Sequence, residues 1–330
     1  MKGEIKASFF DLMLTIPSVI DMMSPQLEGH HRRVAGIAIN IAEQMGLSDE
    51  SKRTLFLASL LHDCGALSLK ERLDALQFEA DEEGAGTHAE VGYRLLKTFP
   101  FLEDAAEVVR YHHCSWKSFK SNINKRFKVP VESFILNLAD RVDVIFVRHA
   151  DPESSIKKVK TLVKNASGNR FMPDAVDSFL SILGDFSFWT KVMNANQENL
   201  TNFQLSDIEL NLSEILGAAK FIEKIIDFRS RFTATHSSGV SAVAEELART
   251  AGFSENECRM IKIAGYLHDL GKLAIPSEII EKPGKLTEQE YEIIRNHAYY
   301  SYNILKNIKG FEEINYTASF HHERLNGKGY

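Results

Sequence analysis

Two short runs in distant parts of the chain are almost the same: Leu60-Leu61-His62-Asp63-Cys64-Gly65-Ala66 and Tyr266-Leu267-His268-Asp269-Leu270-Gly271-Lys272. Each ends an apolar helical stretch with an adjacent His-Asp pair, and burying two such polar groups calls for a compensating partner such as a metal ion. The other histidines repeat in register with these pairs. His30 precedes His62 by 32 residues, and His236 precedes His268 by 32. His88 follows His62 by 26 and His297 follows His268 by 29, while the doublets His112-His113 and His321-His322 each begin 24 residues further on. Ten of the twelve histidines fall into the two series, which leaves only His31 and His149 outside. A repeat of this kind implies two copies of one structural unit before any local pattern is considered.

The 330 residues suit about two domains by length as well. Within them, strand patterns of period two are scarce and helical spacing recurs, so the expected fold class is all-α, with two tandem helical bundles. Val34, Ile37, Ala38, Ile41 and Met45 continue a helix from His30 that Gly46 closes. Ser48 caps the helix that delivers His62 and Asp63. Residues 79–86 read as an acidic loop, with Thr87 capping the helix of His88. Residues 103–111 form the helix before His112 and His113, 114–129 an exposed basic loop, and Pro130 opens the helix of Asp140. Two more helices flank residues 168–173. Periodicity weakens over 184–205, the expected linker, and a long helix over 208–232 enters the second copy. Residues 235–250 match the His30 helix, and Ser254 with Glu257 and Thr287 with Glu290 form capping boxes. The expected boundaries are a first domain over 1–184, a linker and connecting helix over 185–220, and a second domain over 221–330.

The net charge of -6 argues against a general nucleic-acid binder. Cys64, Cys114 and Cys258 show no metal-binding spacing and suit a reducing cytosol, so a cytoplasmic location is expected. Cys64 and Cys114 adjoin motif histidines, where a packed thiol is weighed against a thiolate ligand. No stretch is apolar for long enough to span a membrane. Residues 9–23 are interrupted by Asp11, Pro17 and Asp21 and lack a signal-peptide pattern, which predicts an amphipathic helix packed on the first domain.

In the first copy His30, His62, His88, His112 and His113 with Asp63 and Asp140 exceed the needs of one tetrahedral ion and suit a two-metal centre. Adjacency in His62-Asp63 lets both residues turn toward one centre, with Asp63 placed to bridge two ions. Nitrogen and oxygen donors without sulfur favour Fe or Mn. Two such ions can activate a water and neutralise a phosphodiester.

The run 268–272, Asn296-His297 ahead of an Ile-Leu pair, and His321-His322-Glu323-Arg324-Leu325-Asn326-Gly327-Lys328-Gly329-Tyr330 resemble the HD-GYP subfamily of HD-domain phosphohydrolases. The resemblance covers Phe232 onward strongly, and the first half is similar to a divergent copy. It implies a bacterial signalling phosphodiesterase that hydrolyses cyclic di-GMP or cyclic GMP-AMP, with the second domain catalytic and the first structural or regulatory. It further implies metal ligation by His236, His268, Asp269, His297, His321 and His322, catalytic roles for Asp269 and Lys272, and a contact from Lys272 to a substrate phosphate. Gly327, Gly329 and Tyr330 would face the substrate, the glycines by close backbone approach and the ring beside a guanine. A homodimer or a signalling partner is compatible with it.

Departures from the family pattern are specific. Ala66 replaces the lysine in the first copy, and Cys114-Ser115-Trp116 replaces the start of the GYP loop. Asn326 stands where the family has Asp, and Phe232 where three-metal members have Glu. The sequence stops before the proline of the GYP motif and before a helix bearing the last metal Asp, so the second domain is expected to be C-terminally incomplete, as part of a longer protein. The alternatives are a metal-containing scaffold or cyclic-dinucleotide sensor, and a hydrolase of another nucleotide.

Overall fold

The computed structural model describes residues 5–22, 28–66, 82–121, 128–147, 152–193, 208–228 and 236–330. Phe232, His149, most of the basic stretch after Ser121 and most of the expected linker lie outside them. The architecture is all-α, as the helical spacing predicts. Two compact units are formed. Of the described residues, those within 29–66 and 82–193 belong to one, and those within 5–28 and 208–330 to the other.

The chain opens with β1 (Ala7–Ser8) and α1 (Phe9–Asp21). The first unit then follows as α2 (His30–Gln44), α3 (Asp49–Leu61), α4 (Glu82–Leu96), α5 (Glu103–Arg110), α6 (Trp116–Lys120), α7 (Val131–Val147), α8 (Pro152–Ala166), α9 (Pro173–Ile182) and α10 (Phe186–Met193). Ser48 caps α3 by accepting from Ser51 N–H, which sets where the helix starts and therefore where it ends, at His62. α2 packs against α3, α7, α9 and α10, so its histidine end lies inside the bundle. The second unit contains β2 (Glu209–Leu210), α11 (Leu212–Phe228), α12 (His236–Thr250), α13 (Glu255–Leu267), α14 (Ser277–Ile280), α15 (Glu288–Leu305) and α16 (Glu312–Ser319). Both expected capping boxes are present, Ser254 with Glu257 on α13 and Thr287 with Glu290 on α15. No helix among the described residues is long and apolar enough to cross a membrane.

Four local expectations are corrected. Helix α1 packs in the second unit, against the turn 270–274 and α15, and not on the first domain. Its apolar surface runs nearly all round, with Phe9, Phe10, Leu12, Met13, Ile16, Val19 and Ile20 buried. The tie that chooses its partner is a two-residue antiparallel ladder in which Ala7 faces Leu210, extended by Phe9 N–H donating to Ile208 O at 2.9 Å. Helix α4 begins at Glu82, inside the expected acidic loop and ahead of Thr87. Residues 114–129 are not all loop, because α6 forms and Trp116 packs edge-on to Phe134 at 5.1 Å. Residues 186–193 are not linker but α10, whose Trp189 stacks on Phe146 at 3.9 Å and donates to Leu183 O.

The packing of α1 generates a test. Ile16→Ala is expected to cost about 2–5 kcal/mol as a core truncation. Hydrogen exchange should then accelerate in α13 and α15 and not in α2 and α3; the reverse pattern would contradict this assignment.

Candidate metal centres

In the first unit the start of α2, the end of α3, the middle of α4, the turn after α5 and the middle of α7 bring all seven expected residues together. His30, His62 and Asp140 form one donor group and His88, His112 and His113 a second, each with donor atoms within 4.8 Å of one another. Asp63 lies between the groups, with Oδ2 3.5 Å from His62 Nε2 and Oδ1 3.4 Å from His88 Nε2. The second unit repeats this plan. His236, His268 and Asp269 form one group and His297, His321 and His322 the other. Asp269 Oδ2 is 3.1 Å from His268 Nε2 and Oδ1 is 3.5 Å from His297 Nε2. In each copy one buried carboxylate spans two histidine groups.

The histidines are oriented by the backbone. His62, His112, His268, His297 and His321 each place Nδ1 at 2.6–2.8 Å from the carbonyl oxygen three residues earlier. A carbonyl can only accept, so Nδ1 carries the proton and Nε2 is the nitrogen turned to the centre, a lone pair in the neutral imidazole and, on His268 when protonated, a donor to Asp269 Oδ2 at 3.1 Å. His297 and His321 then aim two such lone pairs at each other across 3.3 Å. That arrangement is repulsive unless a cation or a shared proton lies between them. His30 Nε2, His112 Nε2 and Asp269 Oδ1 are buried without a hydrogen bond. Lone pairs converging on orphaned buried atoms fit a divalent cation, and an N/O donor set of this kind suits a first-row metal. Neither Cys64 nor Cys114 joins a donor group among the described residues; Cys64 is buried and Cys114 donates to Ser115 O.

Burial shapes the protonation. It lowers His112 to about 3, His321 to about 4 and His322 to about 4, and neighbouring histidine charges add to the effect. Burial also drives His88, His113 and His297 down. For Asp269 burial works upward, but the His268 hydrogen bond and the charges of His268 and Lys272 outweigh it and hold the carboxyl well below its usual range. His30 and His268 are raised because Asp143 and Asp269, respectively, overcome the effect of burial.

The two centres differ in access. His30, His62, Asp63, His88, His112 and Asp140 are buried and His113 is half-buried, whereas His236 is exposed. A cavity of about 360 Å³ opens on the second centre, lined by His236, His268, Asp269, Lys272, His321 and His322 with apolar Val240 and Ala244. Lys272 donates to Asp269 Oδ2 at 2.6 Å, while its counterpart Ala66 is a buried methyl. The expected substrate loop is ordered by Glu323, whose carboxylate accepts from Arg324 and Gly329 N–H. Gly327 has φ 66°, and a Cβ on Gly329 would lie 2.4 Å from Glu323 Cα, so both positions need glycine. Tyr330 stacks on His322 at 4.5 Å and 19°, beside the second histidine group. Asn326 accepts from Lys328 N–H within the turn.

Three residues escaped the sequence reading. His31 is buried, its ring 5.2 Å from those of His30 and His62. Asp143 accepts from His30 Nδ1 at 2.8 Å and from Arg33 Nε at 2.6 Å, which aims the opposite nitrogen of His30 inward. Its spacing of three from Asp140 on one helix was the available signal. Asp227, on α11, is raised by burial and feels the charges of Asp269 and His236; nothing in its local sequence marks it.

Comparison with known proteins accords with this geometry. HD-domain models match residues 27–145 and 220–330. The 3'3'-cGAMP-specific phosphodiesterase 1 of Vibrio cholerae is 29% identical over 343 residues, an alignment covering 99% of this chain and 77% of that protein. The cyclic di-GMP phosphodiesterase response regulator RpfG of Xanthomonas campestris is 37% identical over 111 residues, covering 33% of this chain and 29% of that protein. The chain belongs to the HD-domain phosphohydrolases. The fold of its two HD domains is shared with the crystal structure of a cyclic GMP-AMP specific phosphodiesterase of V. cholerae, at TM-score 0.67 and 23% identity over 91% of this chain and 79% of that one. HD phosphohydrolases are metal-dependent, and both matched ranges contain histidine and carboxylate groups that could hold a metal ion.

Metal-free HD protein should be acid-sensitive. A histidine whose folded pKa lies below 6.5 binds its proton preferentially when unfolded, so its contribution to stability is lost as pH falls from 6.5 toward the folded value. Six histidines are lowered and two raised, and the raised pair act in the opposite sense. The melting temperature of chelated protein is therefore expected to drop from pH 6.5 to about pH 4, and a flat or rising profile would refute the burial of neutral imidazoles.

Proposed function

We propose that the second HD domain is a metal-dependent phosphodiesterase of cyclic dinucleotides, cyclic di-GMP or cyclic GMP-AMP, and that the first is structural or regulatory. The observation that carries this reading is the cavity opening on Asp269 and Lys272, at a centre whose counterpart in the first domain has buried donors and an alanine for the lysine. The likeness to cyclic dinucleotide phosphodiesterases along nearly the whole chain supports the substrate class.

Two divalent ions, Fe or Mn by donor type, would be held by His236, His268 and Asp269 on one side and by His297, His321 and His322 on the other. They would supply Lewis-acid activation of water and neutralisation of the phosphodiester. The chain contributes the rest. Backbone carbonyls keep three imidazoles in the ligating tautomer without reorganisation. Asp269 stays anionic, and its charge holds Lys272 at the mouth of the cavity. There the ammonium acts as a point charge toward the phosphate as negative charge grows on its oxygens. In the hydrolysis a water oxygen bonds to phosphorus and gives up one proton, a bridging P–O bond breaks, and the leaving oxygen takes up a proton. Tyr330 beside His322 offers a ring edge to a purine.

The test is anaerobic turnover of both cyclic dinucleotides with Fe(II) or Mn(II). Asp269→Ala should abolish it, Lys272→Ala should reduce kcat by about 10²-fold, and Asp63→Ala should retain it. Loss confined to Asp63→Ala would move catalysis to the first domain. Nucleotide binding without turnover in the unsubstituted protein would leave a sensor.

A further inference from the structure

His236 is the one exposed histidine of the second centre, and it stands at the first position of α12. The first backbone N–H groups of a helix have no partner within it, so something outside must receive them. Helix α11 presents two buried carboxylates, Glu223 and Asp227, one turn apart on the same face. Like charges at that spacing oppose a helix, and buried ones demand hydrogen bonds. Both are answered by the serines that follow His236. Ser237 Oγ donates to Asp227 Oδ1 at 2.7 Å, and Ser238 Oγ donates to Glu223 Oε1. Asp227 is therefore tied to the first turn of α12 from a different helix through the Ser237 hydroxyl, and a carboxylate there is further favoured by the helix dipole.

We propose that Asp227 and Glu223 are positioning residues for the second metal centre, setting His236 through Ser237 and Ser238. This rests on the reading of His236 as a metal ligand. The first domain meets the same need differently: Asp143 on α7 bonds the imidazole of His30 itself. Ser237 occupies the place of His31 in the repeat, and it is fully buried, so its hydroxyl has no solvent to bond in place of Asp227. The side chain of His236 faces the cavity with His268 and Asp269. A tilt of the first turn of α12 would move its imidazole relative to both. Burial raises the Asp227 pKa, and the serine hydrogen bonds and the His236 charge work against that rise.

The experiment is Mn(II) binding to the full chain, stripped of metal and retitrated, with free Mn(II) followed by electron paramagnetic resonance. The binding removed by Asp269→Ala defines the second centre. Ser237→Ala is expected to weaken that binding by about 10–100-fold, the usual effect of losing a residue that supports a ligand. Ser237→Thr, which keeps the hydroxyl, should restore it. Asp227→Ala should weaken it likewise, and the serine pair decides the matter if that variant fails to fold. Undiminished Mn(II) affinity in Ser237→Ala would overturn the proposal, as would equal losses in Ser237→Ala and Ser237→Thr. Because the readout is metal affinity, it stands apart from turnover: a protein inert to cyclic dinucleotides would sink the substrate reading and leave this result intact.

Discussion

The fold depends on keeping one carboxylate charged inside a crowd of imidazoles, twice. An isolated buried carboxylate costs several kcal/mol even after relaxation. Asp63 and Asp269 are buried nonetheless, Asp63 held toward the anionic form by the histidine charges around it and Asp269 by His268 and Lys272. That requires the histidines to arrive from separate helices with their lone pairs already pointed at one place. Helix ends solve the problem. A carbonyl in the last turn lacks an intrahelical donor, and a histidine three residues on can donate Nδ1–H to it. His62, His112, His268 and His321 follow this geometry at the ends of α3, α5, α13 and α16. Satisfying the helix end and fixing the tautomer are then one interaction.

The same economy explains why glycine follows each His-Asp pair after one residue. A Cβ on Gly65 would lie 2.2 Å from His88 O, and one on Gly271 would lie 2.0 Å from His297 O. The chain leaving the pair runs against the backbone of the helix that carries the next ligand. In the second domain Ser301 closes the contact, accepting from Gly271 N–H and donating to His268 O. The spacing of the candidate metal donors is thus set by backbone contact, before any ion adds its own attraction.

Much of this was legible in the sequence because the donors repeat in register and each sits at a helix end with a recognisable cap. Other features left no local trace. The apolar pattern of α1 says that the helix is buried but not in which core, and only the pairing of Ala7 with Leu210 decides it. α10 is eight residues long, too short for a strong period, and it is held by the Trp189–Phe146 stack. His31 has no counterpart in the second series, where Ser237 takes its place, so register could not find it. Asp143 and Asp227 are ordinary helical acids whose roles arise only when another element is brought against them.

The two domains share a donor set and differ in what surrounds it. α2 is packed on by α7, α9 and α10, and its His30 is buried against two α7 carboxylates. On α12, Val243 and Leu247 are exposed and so is His236. Among the described residues the first centre has buried donors apart from half-buried His113, and a buried Ala66 takes the position of Lys272. An open centre with Lys272 at its rim is suited to exchange of solvent and ligand. Opening has a structural cost, because an exposed histidine at a helix start loses the packing that fixes its twin. The Asp227–Ser237 contact supplies that restraint from the far side of the helix, which leaves the imidazole of His236 free to face the cavity.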